Sequence, residues 1–216
     1  MKNVNCLVIC LLLLACGQEK KTDTKTIKDT PHQAVEIGNR QRSEIIQPNS
    51  VAAIKQVYAA TSNLLNAGQL DSVSYNYNCQ QERGGKISYF SKNGKLMLIK
   101  HNYNEYSHFE ATDLYFVNDG QLYFAHLNKL IWSFVSGAGD GVTNDDITES
   151  RVYVVNNQSI LCLEKKYTSR KNVKDNPIPN DVPNKVVNCK PIKGLLKDFN
   201  ALLAFKNKGN KGCLEK

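Results

Sequence analysis

Three stretches of this chain repeat one eight-residue template, and that template confines the fold to antiparallel hairpins. Tyr89-Phe90-Ser91-Lys92-Asn93-Gly94-Lys95-Leu96, Tyr115-Phe116-Val117-Asn118-Asp119-Gly120-Gln121-Leu122 and Tyr153-Val154-Val155-Asn156-Asn157-Gln158-Ser159-Ile160 share one order. Each runs aromatic, apolar, two variable residues, Asn or Asp, Gly or Gln, one polar residue, then Leu or Ile. Asn-Gly and Asp-Gly between apolar runs mark two-residue turns, because both central positions need a positive φ. Three hairpins, and so about six antiparallel strands, follow. The third copy offers Asn157-Gln158, and since Gln tolerates positive φ badly a longer turn is expected there.

Two-residue turns determine which side chains share a face. One face is expected to carry Tyr89, Leu96, Leu98, Tyr115, Val117, Leu122, Phe124, Tyr153, Val155, Ile160 and Cys162. The other carries Phe90, Met97, Ile99, Leu114, Phe116, Tyr123, Val152, Val154, Leu161 and Leu163. A sheet apolar on both sides must be covered on both. One cover is a helix between Ser50, an N-cap, and Gly68, with Val51, Ile54, Val57, Tyr58, Leu64 and Leu65 at helical spacing. A second helix is marked by Leu195, Leu196, Phe199, Leu202 and Leu203 and ends near Gly209, and the strand-like run from Leu127 to Val135 is a third covering piece. The stretch from Thr168 to Pro191 holds Pro177, Pro179, Pro183 and Pro191 and cannot sit in a central strand. The expected fold is α+β: one domain over residues 50–216, with an antiparallel sheet of about six or seven strands built from three hairpins and flanked by an N-terminal and a C-terminal helix. The template resembles the strand-turn-strand units of MORN-type repeats, in architecture only.

The N-terminus reads as an export signal. MKNVNCLVICLLLLA has one cation, Lys2, then an apolar run from Leu7 to Ala15, about half of the ~20 residues a spanning helix needs. Leu13-Leu14-Ala15-Cys16 resembles the lipobox of bacterial lipoproteins. The resemblance implies a diacylglyceryl group on the Cys16 thiol and cleavage before Cys16 by signal peptidase II. It divides the chain into a signal peptide at 1–15, the lipidated Cys16 with a flexible polar tether to residue 49, and the globular domain. Each buried CH₂ contributes ~0.8 kcal/mol, so two or three acyl chains hold a protein on a membrane where one would not. The short signal core and the Lys-Asn-rich body resemble lipoproteins of the Bacteroidota, which implies an extracytoplasmic, outer-membrane location.

Loss of residues 1–15 lowers Lys+Arg from 28 to 27 against 20 Asp+Glu, leaving a net charge of +7. That excess sits in Lys-Asn-rich loops and in the tail NKGNKGCLEK, with no stripe of interleaved aromatics, so nucleic acid is not an expected partner. Of seven cysteines, Cys6 and Cys10 leave with the signal and Cys16 takes lipid. Cys79, Cys162, Cys189 and Cys213 remain, an even number in an oxidising compartment, which suggests two disulfides with three possible connectivities. The preferred one joins Cys162 with Cys189 and Cys79 with Cys213.

Candidates for chemistry are few. Straight pairing puts Asp113 opposite His126 and Arg151 opposite Glu164 on the tyrosine face, with Lys100 in an equivalent place. Such a row binds a polar ligand, or supplies a base through a histidine held by a carboxylate, against the plainer reading of cross-strand ion pairs at a sheet margin. Three tyrosines at equivalent strand positions would form core or a sugar-stacking platform. Asp140, Asn144, Asp145 and Asp146 in the glycine-rich loop are a weak calcium candidate, without the ligand alternation of a calcium hand. The histidines have no metal-binding spacing, no nucleophile motif is present and no cofactor is expected. The leading expectation is a non-enzymatic envelope role, binding a protein or small ligand beside the membrane lipid that holds Cys16. The alternatives are a carbohydrate-binding accessory protein, or a hydrolase using the polar row.

Overall fold

The computed structural model describes residues 47–80, 82–138, 141–208 and 212–214; Cys16, the signal peptide and nearly all of the tether lie outside them. Helix α1 spans Val51–Asn66 and starts where expected, the Ser50 side chain accepting from the Ala53 N–H at 3.2 Å. The strands are β1 (Asp71–Cys79), β2 (Arg83–Lys92), β3 (Lys95–Glu105), β4 (Phe109–Asn118), β5 (Gln121–Phe134), β6 (Thr143–Val155), β7 (Gln158–Arg170) and the two-residue β8 (Lys185–Val186). Helix α2, Ile192–Asn207, closes the domain. All eight strands pair antiparallel in sequence order, an open meander with β1 and β8 at its edges. The α+β class stands, with eight strands in place of six or seven. The additional strand β1 has an alternation of its own in Val73, Tyr75, Tyr77 and Cys79.

The turns are two-residue turns in all three hairpins, but the third sits one residue earlier than the template placed it. Asn93 and Gly94 (φ 51° and 75°), Asp119 and Gly120 (47° and 76°), and Asn156 and Asn157 (49° and 58°) are the central pairs. Val155 therefore pairs with Gln158, and Gln158 opens β7. Two asparagines tolerate the left-handed region better than Asn followed by Gln, so the expectation of a longer turn fails on simple backbone sterics.

Each return strand then takes up one extra residue. Ser91 pairs with Leu96 but Phe90 with Leu98, which leaves Met97 unopposed; in the same way Tyr123 and Ile160 are passed over in the next two hairpins. These bulges move everything beyond them by one position, and a slip of one residue exchanges the two faces of a strand. Leu98 consequently joins Phe90, Phe116, Phe124 and Tyr153 under α1 around Ile54, while Ile99, Ala125, Val152 and Val154 join Tyr89, Tyr115 and Val117 under α2. Tyr153 falls on the α1 side because the shifted turn makes it the counterpart of Phe90 and Phe116.

The remaining covers also differ in part from expectation. The run Leu127 to Phe134 is the continuation of β5 and pairs with β6 rather than lying over the sheet. The proline-rich excursion supplies only the edge strand β8, paired at Leu163 and Glu164. Cys79 is bonded to Cys213 and Cys162 to Cys189, with Cα separations of 4.9 and 5.3 Å. The first bond fastens the chain end to β1 and seats Leu214, 1% exposed, in the α2-side core; the second ties the excursion to β7.

Because Asn157 and not Gln158 occupies the second turn position, Asn157→Gly is expected to raise stability by a few tenths to about 1 kcal/mol, and Gln158→Gly, in a strand, to lower it by a similar amount. Urea unfolding midpoints of the two variants give the signs directly.

Candidate functional site

The register sorts the expected polar row into two unrelated groups. Asp113 pairs with His101 and Leu127, and Glu164 with Ser150, on the α2 side; His126 and Arg151 pair with each other on the α1 side. Asp113 and His126 therefore never meet. The bulge at Tyr123 is the cause in the second hairpin and the shifted turn and bulge at Ile160 in the third.

On the α2 side Asp113 belongs to a sealed network. The Tyr103 hydroxyl donates to Asp113 Oδ2 at 3.3 Å, the Tyr77 hydroxyl meets His101 Nε2 at 2.8 Å, and the rings of His101 and Tyr103 stack at 4.4 Å. Gly85 makes room for it, since a Cβ there would stand 2.8 Å from the Tyr77 ring and 2.6 Å from the Asn102 carbonyl. His101 and Asp113 are 1% and 3% exposed, so no substrate in solution reaches them. Burial pushes the Tyr77 hydroxyl up to about 12, and burial together with Asp113 raises that of Tyr103 further, which keeps both hydroxyls protonated as donors.

The α1 side is different, because α1 covers only the half of the sheet nearest the turns. Beyond it one polar residue per strand forms a continuous band: Asn76, Lys86, Asn102, Thr112, Asn128, Glu149 and Lys165, each the Cα partner of the next. Asn102 donates to Thr112 at 2.8 Å, and a depression of about 430 Å³ lies over Asn102, Asn104, Glu110, Thr112 and Asn128. The band ends in a charged cluster. Glu149 Oε1 is 3.1 Å from Lys165 Nζ and accepts from the Tyr167 hydroxyl at 3.3 Å, while Oε2 meets His126 Nε2 at 3.2 Å. Lys165 also donates to the Pro179 carbonyl at 2.6 Å, so the proline-rich excursion caps the cluster. Neither Glu149 nor Lys165 reads as more than an ordinary charged residue in the sequence; their meeting depends on the register of β6 with β7.

The titration of this cluster follows from its partners. Burial lowers the His126 pKa below its ordinary 6.5 and outweighs the contact with Glu149. Burial alone would raise the Glu149 carboxyl, but hydrogen bonds from Lys165 and His126 hold it below its ordinary 4.5. A neutral imidazole donating to an ionised carboxylate is a stable arrangement, not a base awaiting a substrate.

The other candidates are also dispersed. Tyr89 and Tyr115 are each 1% exposed and Tyr153 5%, so they are core and form no stacking platform. Asp140 lies outside the described residues; Asn144 and Asp146 are held by Arg170 and Thr168 of β7, and strand alternation turns Asp145 to the opposite side. Among the described residues no three His, Cys, Asp or Glu side chains are grouped to hold a metal ion. Exposed aromatic surface occurs elsewhere, at the strand ends remote from the three tight turns. There Tyr106 and Phe134 are 70% and 67% exposed, and Trp132 lies 3.9 Å from the His108 ring and 5.3 Å from that of Phe134.

The fold and site thus define a helix-covered antiparallel meander with an open polar band and an aromatic tip. Comparison with protein-family models, curated proteins and solved structures finds no match.

Removing the Glu149 charge with Glu149→Gln strands the buried Lys165 ammonium and is expected to cost about 3 kcal/mol. The unfolded chain takes up a proton on His126 more readily than the folded one, so stability starts to fall below pH 6.5. A second loss begins below pH 4.5, as Glu149 is protonated through its depressed folded value. Urea midpoints against pH should show His126→Gln removing the first loss and leaving the second.

Proposed function

We propose that this protein is a lipid-anchored lipoprotein of the bacterial cell envelope whose folded domain has a non-enzymatic binding role. The anchor rests on one sequence observation: the short apolar run ends in Leu13-Leu14-Ala15-Cys16 and turns polar at once with Gly17-Gln18-Glu19-Lys20-Lys21. No helix among the described residues is long and apolar enough to cross a membrane. The outer membrane is the proposed destination.

The single observation that favours binding over catalysis is the separation of Asp113 and Glu164 from His126 and Arg151 onto opposite sides of the sheet. A hydrolase built from those four has no common pocket for its substrate. A glycan-binding accessory role loses the tyrosine platform it would stack on. The polar band and the aromatic tip are surfaces of the kind a binding domain presents. Where the chain enters the domain, the Gln47 side chain donates to the Asn118 carbonyl at 2.8 Å, beside the Asp119-Gly120 turn. The aromatic tip is at the other end of β5, a strand of 14 residues and so ~45 Å long.

Intact mass of the protein from native membranes tests the anchor. The expected species starts at Cys16, carries two or three acyl chains and two disulfides, and loses the acyl mass and the membrane association in Cys16→Ser. An unlipidated chain that fractionates as the variant does would overturn the proposal.

A further inference from the structure

A cavity of about 170 Å³ lies between α1 and the sheet, lined by Ile54, Lys55, Tyr58, Phe124, Arg151 and Tyr153. Its walls are firmly built. Tyr58 stands edge-on to Phe124 at 5.1 Å and to Phe116 at 4.9 Å, and Phe124 contacts Tyr153 at 5.0 Å. Ile54 is fully buried at the centre of the cluster that α1 makes with the sheet.

The charges facing this space do not balance. Arg151 is half-buried on β6, opposite His126 and two residues from Tyr153 on the same face, and Lys55 projects from α1. Among the described residues neither forms an ion pair with a carboxylate. Glu149, the acid on the same face of β6, is already occupied by Lys165, His126 and Tyr167. Burial lowers the His126 pKa first, and the nearby Arg151 charge adds to that lowering. Holding a guanidinium partly out of water with no counter-charge costs free energy that a bound anion would recover.

We propose that this cavity binds a small organic anion, a carboxylate or phosphate monoester on a short flat or apolar body. The anionic group lies on Arg151 and Lys55, with the planar guanidinium donating to two of its oxygens at once. The body lies against Tyr58, Phe124 and Tyr153. The volume has room for about five or six water-sized groups, which sets the size of the body at roughly one ring. A free metabolite and the head of a larger molecule share this chemistry. The inference deepens the binding role proposed above and stands apart from the anchor.

The test uses the whole mature chain, recovered from membranes or from the soluble fraction, so that failure of the anchor and failure of the site are separate outcomes. Benzoate and phenyl phosphate are titrated as probes, with inorganic phosphate as the anion lacking a body and benzyl alcohol as the body lacking a charge. Saturable binding of at least one aromatic anion in the roughly millimolar range is expected, as suits so small a ligand, with weaker or no binding of the other two probes. Arg151→Gln should weaken it at least tenfold. Lys55→Gln, at the solvent-exposed edge of the cavity, should weaken it severalfold without touching the fold; Lys129→Gln, on the α2 side, should leave it unchanged. Preference between benzoate and phenyl phosphate assigns the carboxylate or the phosphate class. The absence of saturable binding by a folded chain, equal binding of benzyl alcohol, or affinity unchanged in Lys55→Gln and in Arg151→Gln would each overturn the proposal.

Discussion

Each of the three hairpins turns on two residues at positive φ and then takes up one extra residue on its return strand, and that extra residue decides which side chains meet. Without it Leu98 would lie beside Tyr89 under α2; with it Leu98 packs beside Phe90 under α1. The same displacement, repeated in every hairpin, gives α1 a continuous aromatic floor of Phe116, Phe124 and Tyr153 and gives α2 a floor that alternates tyrosine with smaller apolar residues. Bulges also add local right-handed twist. The helices, the cores and the polar band are all placed by this one arrangement.

The two sides of the sheet then meet different needs. Under α2 a buried network of tyrosines, His101 and Asp113 satisfies polar atoms that would otherwise be costly, and the Cys79–Cys213 bond keeps the chain end over it. On the α1 side the helix packs over the turn-proximal half of the strands, from Phe90 to Leu163, and the distal half of the face is left to the polar band. The boundary between covered and open halves runs through Arg151, and the proposed anion site sits at that boundary. A half-covered face makes a pocket where the cover ends.

Much of this was legible in the residues. The first two turns, the N-cap at Ser50, both amphipathic helices and the exclusion of the proline-rich segment from the sheet interior follow from local chemistry, whereas the disulfide connectivity was a preference among the three that four cysteines allow. The strand β1 was missed: Val73, Tyr75 and Tyr77 alternate, but its Ser and Asn residues hide it among turn formers. The faces were not legible. Aligning Tyr153 with Tyr89 and Tyr115 uses the aromatic as the landmark, whereas the backbone uses the best positive-φ pair, Asn156-Asn157, and no single residue marks a bulge in advance. The Glu149–Lys165 pair and the Arg151 cavity depend on those displacements and are visible only once the strands are in register.

The proposed anchor and the proposed site are independent in their physics. One is a property of the first sixteen residues, the other of a register far down the chain. The register is the claim on which the site assignments depend, and cross-strand Hα contacts measured by NMR test it most directly. The account predicts contacts that place Leu114 opposite His126 and Leu163 opposite Arg151. Contacts placing Asp113 opposite His126 and Glu164 opposite Arg151 would contradict it, return Arg151 to the α2 side and remove the cavity.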